Sequence, residues 1–327
     1  MTKAARRLAL IPLLLVLAYA ALDAGTPRLS ASQVYAGLFG PGSDWLSTLV
    51  TQFRLPRLCA ALVVGIGLGA AGALLQNLTR NRLASPDVLG INDGALLALA
   101  LSLILNPSGL LGPWWCAVAG ALITAVFTLL AAGGVGTRGY RVLVVGLGIA
   151  SLLRAGFDIA LATLPIFHAT GLYAFSVGSL AGRAWPVVTV AAALLGILLT
   201  VCWVISRALA LLCLHDDSIR GLGVNLGQLR FTVLMLAAAL AGVAVGVGGP
   251  IGFVALAAPM LAQRLSPDGG IPVWCSASIG AVLVTGADLL GRIAAAPVEV
   301  PVGVVSGFLG GPFLLWLLMR PKAYGAG

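Results

Sequence analysis

The sequence predicts an all-α membrane protein that crosses the bilayer about ten times with both ends on the cytoplasmic side. Composition is the first observation behind this. Of 327 residues 60% are hydrophobic and only 9% charged, with a mean hydropathy of +1.07, which leaves too little polar surface for a soluble domain. The second is the form of the apolar segments. They run unbroken, as helices require in hydrocarbon where every backbone amide needs an internal partner, whereas barrel strands would alternate apolar with polar residues. The third is the placement of the basic residues between those runs.

At about 20 apolar residues per span, with shorter ones where neighbouring protein shields the backbone, the helices are read in order. The first covers 8–23: Lys3, Arg6 and Arg7 precede an apolar run that continues to Leu22. Ala18-Tyr19-Ala20 is similar to a signal-peptidase site, but the length of the run and the many spans that follow predict an uncleaved helix. The second, 57–78, opens just after Pro56, a residue suited to a helix start. The next three are 91–105, 114–132 and 142–164, followed by 186–206 and 229–248. The last three are 252–265, 272–294 and 302–319; those at 91–105 and 252–265 are short and flanked by Gly or Pro. Without an internal repeat or a low-complexity linker, residues 1–327 are expected to form one domain.

An even number of spans places both ends on one side. With a cytoplasmic N-terminus, the inner segments hold Lys3, Arg6, Arg7, Arg80, Arg82, Arg138, Arg141, Arg207, Arg220, Arg230, Arg264, Arg320 and Lys322. The outer side holds Arg28, Arg54, Arg57, Arg183 and Arg292, and Arg154 lies inside a span. This asymmetry follows the positive-inside rule. It also accounts for the net charge of +9 without nucleic acid, because the cations are scattered singly and form no basic face.

Small residues cluster at Gly65, Gly67, Gly69 and Gly72 and again at Gly242, Gly246, Gly248 and Gly249. Such spacing lets helix backbones approach closely, and the expectation is packing within one bundle. The five cysteines, Cys59, Cys116, Cys202, Cys213 and Cys275, show no C-x-x-C spacing and are read as packing residues, not as a metal site or disulfide framework.

Catalytic chemistry is not indicated. The only lysines are Lys3 and Lys322, so these residues contain no G-x-x-x-x-G-K-[ST] phosphate loop and an ATPase would be a separate chain. His168 and His215 lack the H-E-x-x-H spacing of a metalloprotease. Asp93, Asp158 and Asp288 are the carboxylates in or near spans, where an ionisable group tends to be functional. Asp158 follows Arg154 by four residues and Asp288 precedes Arg292 by four, which predicts two ion pairs on single helix faces in a structural role, with a proton relay as the alternative.

Three segments are too polar or too rich in Gly and Pro to be ordinary connections. The first runs from Arg54-Leu55-Pro56-Arg57 through the glycines of the second helix to Thr79-Arg80-Asn81-Arg82-Leu83-Ala84-Ser85-Pro86-Asp87-Val88-Leu89-Gly90. The second is Leu222-Gly223-Val224-Asn225 with Arg230, leading to Gly249-Pro250-Ile251-Gly252. The third joins Ala287-Asp288-Leu289-Leu290-Gly291-Arg292 to Glu299-Val300-Pro301-Val302-Gly303 and Gly310-Gly311-Pro312. Together they resemble the FecCD family of ABC importer permeases over nearly the whole chain. Within that family, Ser32-Gln33-Val34 through Val144-Val145-Gly146-Leu147-Gly148-Ile149 is most similar to permeases for ferric enterobactin.

The resemblance implies a fold of the cobalamin-permease type in the bacterial inner membrane, without enzymatic activity or a cofactor of its own. It implies a second permease subunit, identical or paralogous, two cytoplasmic ATPase subunits and a periplasmic or lipid-anchored substrate-binding protein. The substrate it implies is a ferric siderophore of catecholate, enterobactin-like type, with cobalamin or haem as alternatives. Site residues follow from position in the motifs: Arg54, Arg57 and Arg292 for docking the binding protein, Asn81, Leu83, Gly139 and Tyr140 for a cytoplasmic gate, and Asp216, Asp217, Arg220, Gly221, Leu222 and Gly223 for coupling to the ATPase. The chain departs from the family pattern at Met260, where a His usually follows the Pro, and at Gly221, where Ala is common. The rival from another class is a secondary transporter or channel that uses Asp158 or Asp288 as its coupling site and needs no ATPase.

Overall fold

The computed structural model describes residues 10–40, 45–107, 111–134, 139–265 and 272–319. Lys3, Arg6, Arg7, Arg138, Arg320 and Lys322, which entered the topology argument, lie outside them, as do the first two residues of the expected opening helix. Among the described residues the chain is helical throughout, without a strand.

Six helical segments are long and apolar enough to cross a membrane: Trp45–Thr79, Trp114–Ala131, Tyr140–Thr163, Trp185–Val204, Leu226–Gly248 and Val273–Ala294. Four shorter apolar helices accompany them, at Leu10–Asp23, Ile91–Leu105, Val254–Leu265 and Val302–Trp316. In chain order the elements are α1 (Leu10–Asp23), α2 (Ala31–Phe39), α3 (Trp45–Thr48), a π-helical stretch Leu49–Arg54, α4 (Leu55–Thr79), α5 (Ile91–Leu105), α6 (Trp114–Ala131) and α7 (Gly139–Thr163). Then come α8 (Ile166–Ser176), α9 (Trp185–Val204), α10 (Ser206–Leu211), α11 (Asp216–Gly221), α12 (Leu226–Gly248), α13 (Val254–Leu265), α14 (Val273–Ala294) and α15 (Val302–Met319).

The core is built around α4 and α12, whose residues are mostly buried, while α7 and α9 expose most of theirs. α4 packs against α14, α12 and α13, and α6 against α5 and α12. Between hydrocarbon-compatible helices close packing takes the place of a hydrophobic driving force, and small residues make it possible. At the α4–α14 crossing a Cβ on Gly65 would stand 2.4 Å from the Gly280 carbonyl oxygen, and one on Gly280 2.1 Å from that of Gly65. Only hydrogen fits at either position. Gly242 and Gly246 meet α6 of the same chain in the same way, through Val118 and Trp114. The glycine clusters therefore serve packing inside the bundle.

The segment between the first two expected spans carries structure that apolar patterning missed. Ser30 caps α2 reciprocally: its hydroxyl accepts from the Gln33 amide and its own amide donates to the Gln33 side chain. Ala21, Leu22, Leu29, Val34, Val50 and Leu58 form a small core of their own. Pro56, expected near a helix start, follows a helical stretch instead. Its ring has no N–H and would clash with the carbonyl four residues back in a regular helix. The wider π-helical turn just before it relieves that conflict, as such bulges do. The helices α8, α10 and α11 also lie in segments read as connections, at six to eleven residues too short for a span.

Candidate functional site

Two polar assemblies stand at opposite ends of α4, which at 25 residues is roughly 37 Å long. The first gathers Arg54, Arg57 and Arg292. α1 ends beside them at Asp23, and the last carbonyls of a helix have no intrahelical partner. Arg54 donates to the carbonyls of Leu22 at 2.6 Å, Asp23 at 2.9 Å and Pro27 at 2.5 Å. Arg292 donates to those of Ala21 at 2.9 Å and Ala24 at 3.0 Å. Two guanidinium groups from α14 and the start of α4 thus seal the C-terminus of α1, where the helix dipole also favours positive charge.

Behind them lies Asp288, 4% exposed. Arg292 Nε is 3.2 Å from Asp288 Oδ2, the expected pair at i and i+4. Arg57 reaches the other oxygen through Nε and Nη2, both at 3.0 Å, and bonds Glu299 through Nη1 at 2.7 Å. A buried carboxylate shared by two guanidinium groups is the tolerated form of intramembrane charge. Above the cluster opens a cavity of about 430 Å³ lined by Arg54, Arg57, Arg292, Glu299 and Gln52, and closed on its far side by Ala181–Ala184 with Arg183. Trp185 pins that side by donating to the Thr51 carbonyl at 2.7 Å. Arg183 was read from sequence only as an outer cation; nothing local marks it as part of a site, because the chain folds back 126 residues after Arg57 to place it there.

The second assembly sits where α4 ends. Arg80 closes the helix in the left-handed region at φ +50 and sends its guanidinium to the Leu214 carbonyl and to Asp216 Oδ1, the latter at 3.0 Å. Arg230, near the start of α12, grips both oxygens of Asp216 at 3.0 and 2.9 Å. Asp216 opens α11, the short helix that also holds Asp217, Arg220 and Gly221 and stops at Leu222. Among the described residues Arg220 pairs only locally, with Asp217 at 3.5 Å, and Gly223 turns the chain at φ +74 with open space where a Cβ would stand.

Asn81 and Leu83 share the turn after Arg80: the Asn81 side chain accepts from the Leu83 amide at 2.9 Å, and the Leu83 side chain is exposed. Further on, the segment turns inward. Asp87 accepts a bond from Asn92, and burial pushes its carboxyl above the usual carboxylate range against the opposing effect of that bond. Val88 and Leu89 press against Gly146 of α7. Tyr140 is exposed in the first turn of α7, after Gly139, and among the described residues no hydrogen bond, ion pair or ring contact joins it to Asn81 or Leu83. The structure thus groups Arg54, Arg57 and Arg292 in one cluster, ties α11 to the Asn81–Leu83 turn through Arg80, and leaves Tyr140 apart from that turn.

The other expected pair, Arg154–Asp158, forms at 3.5 Å on α7. It is not enclosed. The two side chains are 44% and 58% exposed in the C-terminal half of a helix long enough to span a membrane. Met260, in place of the family's usual His, is buried in α13.

Comparison with known proteins places this architecture. A family model described as the FecCD transport family matches residues 13–320. The ferric enterobactin transport system permease protein FepG of Escherichia coli (strain K12) is 34% identical over 96% of this chain and 97% of its own. The Fe(3+)-citrate import system permease protein YfmE of Bacillus subtilis (strain 168) is 36% identical over 95% of this chain and 93% of its own. A solved structure of a metal-chelate-type ABC transporter in an inward-facing conformation superposes with a TM-score of 0.82 over 98% of this chain and all of that one, at 23% identity, and so shares the fold. With a family match over nearly its whole length and relatives that are permeases of iron-chelate transport systems, this chain belongs to the FecCD transport family, as a multi-pass membrane transport subunit and not an enzyme.

Proposed function

We propose that the chain forms the path of an ATP-driven importer in the bacterial inner membrane, carrying a ferric siderophore of catecholate, enterobactin-like type from periplasm to cytoplasm. It spans the membrane ten times with both ends inside, the four shorter apolar helices completing the six long ones. The observation that carries this reading is the polar equipment at the two ends of α4: an arginine-walled cavity at one and a short helix tied to the Asn81–Leu83 turn at the other would be idle in a self-sufficient channel. The end holding Arg54, Arg57 and Arg292 receives the substrate-binding protein. The end holding Asp216, Asp217, Arg220, Gly221, Leu222 and Gly223 receives an ATPase subunit, and Asn81, Leu83, Gly139 and Tyr140 gate the path there.

A second permease subunit, identical or paralogous, completes the path. Its support is the exposed Arg154–Asp158 pair, because an exposed ion pair within a spanning helix is costly against hydrocarbon, and a neighbouring subunit with a hydrated path between the two would shelter it. Reconstitution with the ATPase and binding protein in proteoliposomes tests the whole reading. Labelled ferric enterobactin should accumulate only with ATP inside, and faster than ferric citrate, the chelate named for a relative of similar identity. Uptake driven by an ion gradient without ATP would overturn it.

A further inference from the structure

The short helix α2 has two unlike faces. On one, Val34 is buried in the small core with Ala21, Leu22 and Val50, and a Cβ on Gly37 would stand 2.7 Å from Val50 Cγ2. That face seats α2 on α3 and the π-helical stretch. On the other, Tyr35 and Phe39 lie one helical turn apart, 69% and 73% exposed, with ring centroids 5.1 Å from each other. Trp45, which opens α3, is 63% exposed. A face turned to water normally carries charge. Between Arg28 and Arg54 the sequence has one charged residue, Asp44, and it lies outside the described residues. Large uncharged aromatic side chains gathered at a surface mark contact with something apolar.

The neighbouring helix says what that is. α1 leads into this segment, and its Ile11, Leu15, Val16 and Tyr19 are exposed in the same chain, an apolar surface that a spanning helix presents to lipid. α1 stops at Asp23, so residues soon after it emerge at the level of the headgroups. With nine residues α2 is roughly 13 Å long, far too short to cross, and suited to lying along the boundary. Aromatic rings concentrate at that depth, and a helix with one apolar face settles there. Arg28, exposed two residues ahead of the Ser30 cap, adds a cation that suits lipid phosphate.

We propose that α2 is an interfacial helix: Tyr35 and Phe39, accompanied by Trp45, insert into the boundary between lipid headgroups and acyl chains. This rests on the reading of α1 as a span and adds a lipid contact to it. Because the buried face of α2 is packed on Val50, the membrane surface then sets the height of the π-helical stretch that ends in Arg54.

Photochemical cross-linking of the permease–ATPase complex in nanodiscs, with the binding protein added, tests this. Tyr35→p-benzoylphenylalanine and Phe39→p-benzoylphenylalanine keep an aromatic ring at each position, and Leu15→p-benzoylphenylalanine on α1 serves as the reference for lipid. Mass spectrometry should find lipid adducts at 35 and 39 in yields comparable to that at 15, attached near the glycerol end of the acyl chain. An adduct with the binding protein would make the face a docking surface, and one with a second permease copy a subunit interface; either overturns the proposal. So does attachment at the far end of the acyl chain, which would bury α2 in hydrocarbon. Lipid adducts at 15 but none at 35 and 39 would put α2 in water and leave α1 as a span. Absence of lipid adducts at 15 would remove the span, and the proposal with it. ATP-dependent uptake and size-exclusion profiles show that each variant is folded, and Trp45→p-benzoylphenylalanine repeats the measurement should either α2 variant fail.

Discussion

Asp216 Oδ1 stands 3.0 Å from Arg80 Nη2, so the first residue of α11 is fastened to the residue that caps α4 across 136 residues of chain. Arg80 is 48% exposed and Asp216 35%, and a pair this open contributes about 0–1 kcal/mol to stability. Arg80→Gln should therefore leave the thermal midpoint nearly unchanged. Transport in the reconstituted system should nonetheless fall severalfold while ATP hydrolysis continues, if movement of α11 reaches the Asn81–Leu83 turn through this link. Uptake equal to wild type in Arg80→Gln would remove the link from the mechanism.

Arg292 carries a different load. Arg292→Met would leave the carbonyls of Ala21 and Ala24 unpaired and Asp288 with Arg57 alone. Breaking a buried pair in this way costs about 3–5 kcal/mol. The expected result is a marked fall in the thermal midpoint in detergent and a lower yield of folded protein, measured beside Arg183→Met, which should show neither.

Two glycines of one helix separate packing from propensity. Gly280→Ala places a methyl group 2.1 Å from the Gly65 carbonyl oxygen, where two backbones must part, and should sharply reduce folded protein. Gly286→Ala, six residues on, meets nothing within 4 Å. It should be neutral or stabilising by up to about 1 kcal/mol, since Ala is the better helix former. Equal behaviour of the two in a fluorescence size-exclusion assay would contradict the close α4–α14 crossing.

Asp87 supplies a pH dependence. Its pKa is raised in the folded chain, so at neutral pH the buried carboxylate opposes folding. As pH falls toward that raised value the folded state takes up a proton before the unfolded one does, and stability rises until the unfolded value near 3.8 is reached. Asp87→Asn, which can still accept from Asn92, should lack this contribution. Thermal midpoints of wild type and variant should converge as pH is lowered through the acidic range, and a gap that widens instead would reverse the sign of the argument.

Hydropathy alone located the long helices, because spans such as α9 and α12 are continuous apolar runs whose ends are marked by a change of polarity. It missed α2, α3 and the π-helical stretch because Arg54 and Pro56 look like the start of a helix, and nothing local says that helical backbone precedes them. The Asp288–Arg292 pair was legible for a similar reason: four residues define a helix face. Arg57 and Asp288 are separated by 231 residues, and their meeting depends on α4 and α14 crossing at glycines. Arg54 and Arg292 take their docking assignment from family position, and their hydrogen bonds are a separate matter. Their side chains turn inward to the end of α1, a destination set by where α1 stops and not by any residue beside them. Arg183 lies in an interval read as a connector, and its place on the cavity wall is set by a fold-back that no neighbouring residue signals.

The seal on α1 also sets a timetable. The carbonyls of Ala21 and Ala24 find their donor in Arg292, 271 and 268 residues later in the chain. While the protein is being made, α1 leaves the ribosome long before α14 does, so its C-terminal carbonyls must wait, satisfied by water or lipid headgroups, until nearly the whole bundle has been synthesised. Of the described helices α1 is made earliest and is among the last to be locked, so its docking reports completion of the bundle.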